Sequence, residues 1–281
     1  MSISIITVSS NAAATISDCL KSINAQTAPV EHLIIDAAST DNTLELVRII
    51  SPSARLFSEP DHGIYDAMNK GIRLASGDII GILNADDFYA SSDVLAQVEA
   101  VFADPGVAAC YGDLQYVRGR GEKSPDSFKV VRHWQSDPFC RSKFLWGWMP
   151  PHPTFFVRKE IYEEYGLFRL DLGSAADYEL MLRFLFKHRI RAVYIPQVLV
   201  KMRVGGVSNA CLKNKIKANL MDRRAWEVNG LKPYPWTLLM KPLRKLRQFY
   251  LASICEARNL KPVKRNRKTS LANDELAALK R

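Results

Sequence analysis

An α/β fold is what this sequence predicts: a doubly wound, mostly parallel sheet, a less regular second half and a helical, basic C-terminal extension. Three observations carry that expectation. Along residues 3–111, apolar runs at strand period alternate with apolar residues at helical spacing, and each parallel strand needs such a crossover helix. One of those runs, residues 78–83, leads straight towards two adjacent carboxylates, Asp86 and Asp87, at the kind of strand end where open parallel sheets bind ligands. The charge is also segregated. Eleven Lys and Arg stand against the single acid Glu256 between residues 232 and 270, which accounts for the net charge of +10 and leaves the rest of the chain neutral.

The elements follow in order. Residues 3–8 read as the first strand, and Asn11 is a fitting N-cap for a helix that carries Ile16, Cys19, Leu20 and Ile23 on one face. Residues 31–36 form a second strand. Ser39, Thr40 or Asp41 caps the next helix, with Leu44, Val47 and Ile50 three apart, and residues 55–58 make a short third strand. A helix over 63–75, a strand over 78–83, a helix over 91–102 and a strand over 107–111 complete the alternation. After Gly112 the pattern changes. Residues 114–117 and 128–134 read as antiparallel ribbons, and Pro150, Pro151 and Pro153 force extended backbone around His152 before a strand at 154–157. Helices over 159–165 and 175–188 follow. The chain thus divides at 1–112, 113–208 and 209–281.

The totals bound the rest. With 281 residues, 47% of them hydrophobic, the chain can bury the core of one large α/β domain. Five scattered cysteines without C-x-x-C spacing argue against a disulfide framework or a zinc cluster, and fit a reducing cytosol. Met1 leads directly into the first strand, and no apolar run reaches about 18 residues. A cytoplasmic protein is expected, with peripheral attachment at the cytoplasmic face of the inner membrane through its tail. There Trp236, Leu239, Met240, Leu243, Leu246, Tyr250 and Ile254 recur at roughly helical spacing among lysines and arginines, a pattern suited either to an anionic membrane surface or to a helix packed back on the domain with a solvated basic face.

Chemistry enters with the acids. Adjacent carboxylates repel unless a positive group joins them, and a divalent cation gripping a diphosphate is one such group. Asp36, at the carboxyl end of the second strand, would converge on the same edge in a parallel sheet and accept hydrogen bonds from a ribose or a base. Residues 63–69 open a helix whose first amides favour a diphosphate, with Asp66 or Asn69 reaching the donor. Structural alternatives stand beside each assignment: an acidic turn for Asp86–Asp87, a turn residue for Asp36, a helix cap for Asp177 and a packed bystander for His152.

Six ordered segments between residues 3 and 205 carry a resemblance: residues 7–11 (TVSSN), 36–43 (DAASTDNT), 59–71 (EPDHGIYDAMNKG), 84–87 (NADD), 152–156 (HPTFF) and 175–180 (AADYEL). Together they resemble family 2 glycosyltransferases, in particular bacterial polysaccharide or glycolipid enzymes of the colanic-acid type. The resemblance implies the GT-A fold, a nucleotide-diphosphate sugar as donor, Mn2+ or Mg2+ as cofactor, and inversion at the anomeric carbon. It makes 1–112 the nucleotide-sugar-binding half, 113–208 the acceptor-binding and catalytic half, and 209–281 an extension. By position it implies that Asp36 contacts the nucleoside and that the 7–10 loop, with Thr7 and Ser9, lies against the base. Asp86 and Asp87 become the metal-ribose pair, with Asp87 as the direct ligand. Asp177 becomes the catalytic base, and His152 lies near a saccharide or lipid-linked acceptor. The chain departs from the family pattern at Ala37 and Ala38, where many relatives carry an acid and then Gly, and at Asn84, where the metal motif usually begins with an acid.

Two other classes compete. A sugar nucleotidyltransferase also sets metal-bound acids on an α/β sheet, but requires a Gly-rich basic loop that residues 9–13 lack. A nucleic-acid or anionic-surface module driven by the tail would leave Asp36, Asp86, Asp87 and Asp177 without a task, so no nucleic-acid partner is expected.

Overall fold

The computed structural model describes residues 1–119, 128–205, 212–241, 243–244 and 248. Its first half follows the expected alternation: β1 (Ile3–Ser9), α1 (Ile16–Asn24), β2 (Val30–Asp36), α2 (Thr43–Ile50), β3 (Arg55–Ser58), α3 (Ile64–Leu74) and β4 (Ile79–Ile82). These strands pair in parallel in the order β3-β2-β1-β4, so the chain starts in the middle and winds first to one side, then to the other. Open α/β sheets bind ligands in the crevice beyond the carboxyl ends of the strands at such a reversal, here β1 and β4. β1 is buried along its whole length, because both of its faces are covered by helices.

Two caps differ from expectation. Asn11 does not cap α1, which begins at Ile16 with Thr15 in the cap position. Asn11 takes a left-handed φ of 47°, and its Oδ1 accepts from the Thr40 amide, so it ties the two loops at this edge together. Asp41 performs the cap-like task for α2 from one residue outside the helix, accepting from the Thr43 amide at 3.0 Å.

The second half comprises β5 (Asp87–Tyr89), α4 (Val94–Phe102), β6 (Ala109–Arg118), β7 (Lys129–Trp134), β8 (Phe156–Arg158), α5 (Lys159–Tyr165), α6 (Ala176–Met181), β9 (Ala192–Arg203) and α7 (Leu212–Val228). A short 3-10 segment, His152–Thr154, precedes β8, and α6 runs on through a widened π-type turn over Leu182–Lys187. The sheet continues as β4-β8-β6-β9-β5, with β8 antiparallel to both β4 and β6. The fifth strand expected at 107–111 is therefore part of a longer strand, and it joins the first half through β8 rather than directly.

β9 was invisible to the sequence patterns, and for a physical reason. Pro196 lies within it, where the ladder to β6 slips between Tyr111 and Asp113, so the missing amide falls at a bulge. Gly112 sits in the same irregularity because a Cβ there would meet Leu199 at 2.5 Å. A continuous core under α3, α5 and α6 fills one face of the sheet, and a second core under α1 and α4 fills the other. No described helix is long and apolar enough to cross a membrane.

Candidate active site

Backbone bonds lock the sheet edge before any side chain is considered. The Ala37 amide donates to the Ser9 carbonyl, the Ala85 amide to Val8 and the Glu59 amide to Asp36, so the ends of β1, β2, β3 and the 84–87 turn are stitched side by side. Asp36 and the Asp86–Asp87 pair thus meet at one edge, as parallel winding requires. The two acidic positions are built differently.

Asp36 is buried and fully engaged. Its carboxylate accepts from Ser9 Oγ (2.8 Å), the Ser39 amide (2.8 Å), Ser39 Oγ (2.6 Å) and Ser58 Oγ (2.8 Å). Ala38, two residues on, holds a left-handed φ of 52°, a conformation that glycine adopts more readily than alanine. Ser9 therefore reaches Asp36 as a floor of the edge. Thr7 does not face it: its buried hydroxyl lies 3.0 Å from His32 Nε2 and 3.8 Å from Cys19 Sγ. The expected donor contact of the Thr7 side chain is corrected here, because β1 is covered on both faces and its hydroxyl is already used.

The 84–87 turn is under-satisfied. The Asp87 amide donates to the Asn84 carbonyl, and Asp87 opens β5, sealed from solvent. Asn84 Oδ1 and Asp87 Oδ1 are buried without a hydrogen-bond partner, and the only bond between these side chains is a long one from Asn84 Nδ2 to Asp87 Oδ2 at 3.4 Å. Burial pushes the Asp87 carboxyl well above the usual carboxylate range, and the neighbouring Asp86 adds to the push. Asp86 is only partly buried, and burial raises it too, with Arg203 opposing. Asp86 is the more accessible acid of the pair.

Arg203 is the cation of this turn. It pairs with Asp18 and lies across the rings of Phe88 and Phe128 at 5.3 and 4.8 Å. Nothing in the sequence patterns connects position 203 with Asp86; the link arises because Asp87 pairs with Met202 across β5 and β9.

Asp177 is the single residue of α6 that is not buried. Its Oδ1 accepts from the Tyr178 amide at 2.7 Å. Around it stand Tyr65 and His152. Burial and then the Asp177 charge raise the Tyr65 phenol, while burial lowers His152 against the opposing pull of Asp177, which keeps that imidazole neutral at pH 7. Phe168 packs against both, 5.4 Å from each ring. Asn69, expected to reach the donor, instead gives Nδ2 to the Phe168 carbonyl and accepts the Phe168 amide at Oδ1, each at 2.9 Å. It is buried with its amide fully used, so the donor contact is corrected to a packing role. Asp66 remains at the first turn of α3, accepting from the His62 amide at 3.1 Å with Lys70 3.8 Å away.

Tyr116 joins the two sides. Burial raises its phenol most, Arg132 opposes, and both Asp87 and Asp177 raise it further, so it stands within electrostatic reach of the donor-side and acceptor-side acids together. The register explains this: Asp87, Met202, Tyr116 and Arg132 form one row across β5, β9, β6 and β7, with the Arg132 guanidinium 4.3 Å from the Tyr116 ring.

Among the described residues no three His, Cys, Asp or Glu side chains cluster in a way that holds a metal ion alone. The buried, unpartnered oxygens of Asn84 and Asp87 beside Asp86 nonetheless suit a divalent cation that brings further oxygen ligands with it.

A mixed α/β sheet wound from its middle strand, with acids at the carboxyl ends of β2 and β4, is the arrangement of a GT-A-type fold. The comparisons agree. The family model Glycosyl transferase family 2 matches residues 4–166, and the chain belongs to that family. An uncharacterized glycosyltransferase of Mycobacterium tuberculosis is 34% identical over 193 residues, covering 64% of this chain and 68% of that protein. A PGL/p-HBAD biosynthesis glycosyltransferase of Mycobacterium bovis is 28% identical over 224 residues, covering 77% and 83%.

In fold the chain resembles the mannosyltransferase PcManGT of Pyrobaculum calidifontis solved with GDP-Man and Mn2+ (TM-score 0.60, 22% identity, 99% of this chain and 80% of that one). It also resembles S. aureus TarS 1-349 solved with UDP-GlcNAc (TM-score 0.61, 18% identity, 79% and 65%). In the longer TarS chain it spans 39% of the length.

Proposed function

We propose that this glycosyltransferase moves a sugar, with inversion, from a nucleotide-diphosphate donor to a hydroxyl of a lipid-linked or growing saccharide, with Asp177 as the base. The observation that carries the reading is the exposure of Asp177 alone on an otherwise buried helix, opposite the acidic turn and beside a neutral His152. The donor lies along the edge from Ser9 and Asp36 to Asp86, with Asp66 at the mouth of α3. For Asp36 to meet a nucleoside, one serine hydroxyl must turn away from it.

Asp86, Asn84 Oδ1 and Asp87 Oδ1 would be the residues to hold Mn2+ or Mg2+. Bound there, the cation supplies Lewis-acid stabilisation of the charge on the departing diphosphate. Asp177 removes the proton of the acceptor hydroxyl while that oxygen bonds to the anomeric carbon from the face opposite the diphosphate. The bond from that carbon to the diphosphate oxygen breaks, and its electron pair leaves with the diphosphate. His152, neutral, orients the acceptor next to Asp177.

Asp177→Asn tests this. Turnover should fall by roughly a thousandfold, as expected for loss of a general base, while donor affinity by calorimetry stays unchanged. Turnover within a few-fold of the parent enzyme rejects the assignment.

A further inference from the structure

The helix entered at Thr237 is mounted inside out. Amphipathic helices normally turn their apolar stripe to the core and their polar stripe to water. Here the inward positions are polar: Thr237 Oγ1 donates to the Leu145 carbonyl, Lys241 Nζ reaches Asp222 Oδ2 at 2.7 Å and lies 3.8 Å from the Tyr178 ring centre, and Gln248 Oε1 accepts from Arg132 Nε at 2.6 Å. The backbone at Lys241 comes so close that a Cβ on Gly147 would meet its nitrogen at 2.5 Å, so the seating is tight.

A stripe of apolar residues on and just before the same helix faces outward. Trp236, in the turn that precedes it, is 42% exposed, Leu239 63% and Leu243 54%, while Leu238 and Met240 are half-buried. Positions 236, 239 and 243 form one stripe at helical spacing. Trp236 also touches Trp146 (5.9 Å between ring centres, Trp146 47% exposed) and Tyr234 (5.0 Å, 45% exposed). The patch therefore spans the catalytic body and the extension, and it consists of the residue types that settle at a membrane-water boundary.

We propose that this face docks on an anionic lipid bilayer, with Trp146, Tyr234 and Trp236 at headgroup depth and Leu239 and Leu243 below them. Charge decides among occupants. The stretch from 232 to 270 carries eleven Lys and Arg against one acid, so a second copy of the chain brings repulsion to the contact, whereas anionic headgroups bring attraction. The inward stripe of the same helix touches Tyr178, next to Asp177, and Arg132, next to Tyr116, so docking fixes the acceptor side of the crevice relative to the bilayer. This inference rests on the patch and not on the transfer mechanism, and its failure leaves the Asp177 test untouched.

The test is co-sedimentation of the full chain with vesicles of zwitterionic lipid containing about a third anionic lipid, at low salt. The parent chain should sediment, and brominated lipid should quench part of its tryptophan emission. The triple variant Trp236→Ser, Leu239→Ser, Leu243→Ser should lose at least about tenfold in partitioning while its melting temperature stays near that of the parent, because the inward contacts are unchanged. A parent chain that stays in the supernatant and is not quenched overturns the proposal. So does a triple variant, folded by circular dichroism, that partitions like the parent, or a parent dimer in ultracentrifugation that the same substitutions abolish without any vesicle binding.

Discussion

Asp36 and the Asp86–Asp87 pair stand two strands apart at the same sheet edge, and the protein treats them in opposite ways. Around Asp36, three serine side chains and one amide satisfy the carboxylate completely. Around Asp86 and Asp87, two buried oxygens lack any partner, and burial raises both acids. The first is finished without a ligand and stabilises the fold. The second is costly in the isolated chain and becomes favourable only when positive charge arrives. On the proposed reading, the difference separates the part of the edge that shapes a pocket from the part that takes a cation and its diphosphate.

Opposite signs of stability give the sharpest way to break this contrast. Asp36→Ala strands four donors and should cost at least about 4 kcal/mol in urea unfolding, since each buried donor left unpaired costs about 1–3 kcal/mol in principle. Asp87→Asn removes a repelling, desolvated charge and should leave the metal-free protein as stable as the parent or more so, while cation-dependent donor binding drops by at least about tenfold in calorimetry. If both substitutions destabilise the metal-free protein to a similar extent, the contrast is wrong.

Acidity sharpens it further. Burial raises the carboxyls of Asp86 and Asp87 above the ordinary carboxylate range, so they hold protons at a pH where an exposed carboxylate would be ionised, and a cation must displace those protons. Cation-assisted donor affinity should therefore fall on acidification, starting above the usual carboxylate range. Their own effect on stability runs the other way: a raised acid stabilises the metal-free fold below the unfolded value of 3.8 and loses that contribution as pH rises through the folded value. Donor titrations and unfolding curves between pH 4 and 8 read both trends.

A further effect concerns His32, under the Thr7 end of the edge. Burial lowers it from 6.5 to about 4, so the unfolded chain binds its proton first on acidification. Its contribution, about 3 kcal/mol at most from the size of that shift, is complete above pH 6.5 and lost as pH falls towards 4. His32→Asn should flatten this part of the stability profile without altering donor binding at neutral pH.

Much of the donor side was legible because its signals are local. Strand period, helix spacing and the run from residue 78 to Asp87 each lie within a few consecutive residues, and parallel winding then brings Asp36 and Asp86 to one edge. Asn69 shows the limit of such reading. Its place at the start of a helix pointed to the donor, but Phe168, 99 positions away, takes its whole amide. Likewise β9 was hidden by Pro196, which only its partner strand makes tolerable.

The sequence alone determined the alternation of strands and helices, the placing of acids at strand ends, the family and the basic tail, because hydrophobic period and motif order are properties of neighbouring residues. Only the tertiary structure decided that Asp86 is open and Asp87 sealed, that Arg203 and Tyr116 join the site, and that the tail helix turns its apolar stripe outward. Those outcomes depend on which distant surfaces cover each side chain, and exposure is settled by the partner a segment finds and not by the segment itself.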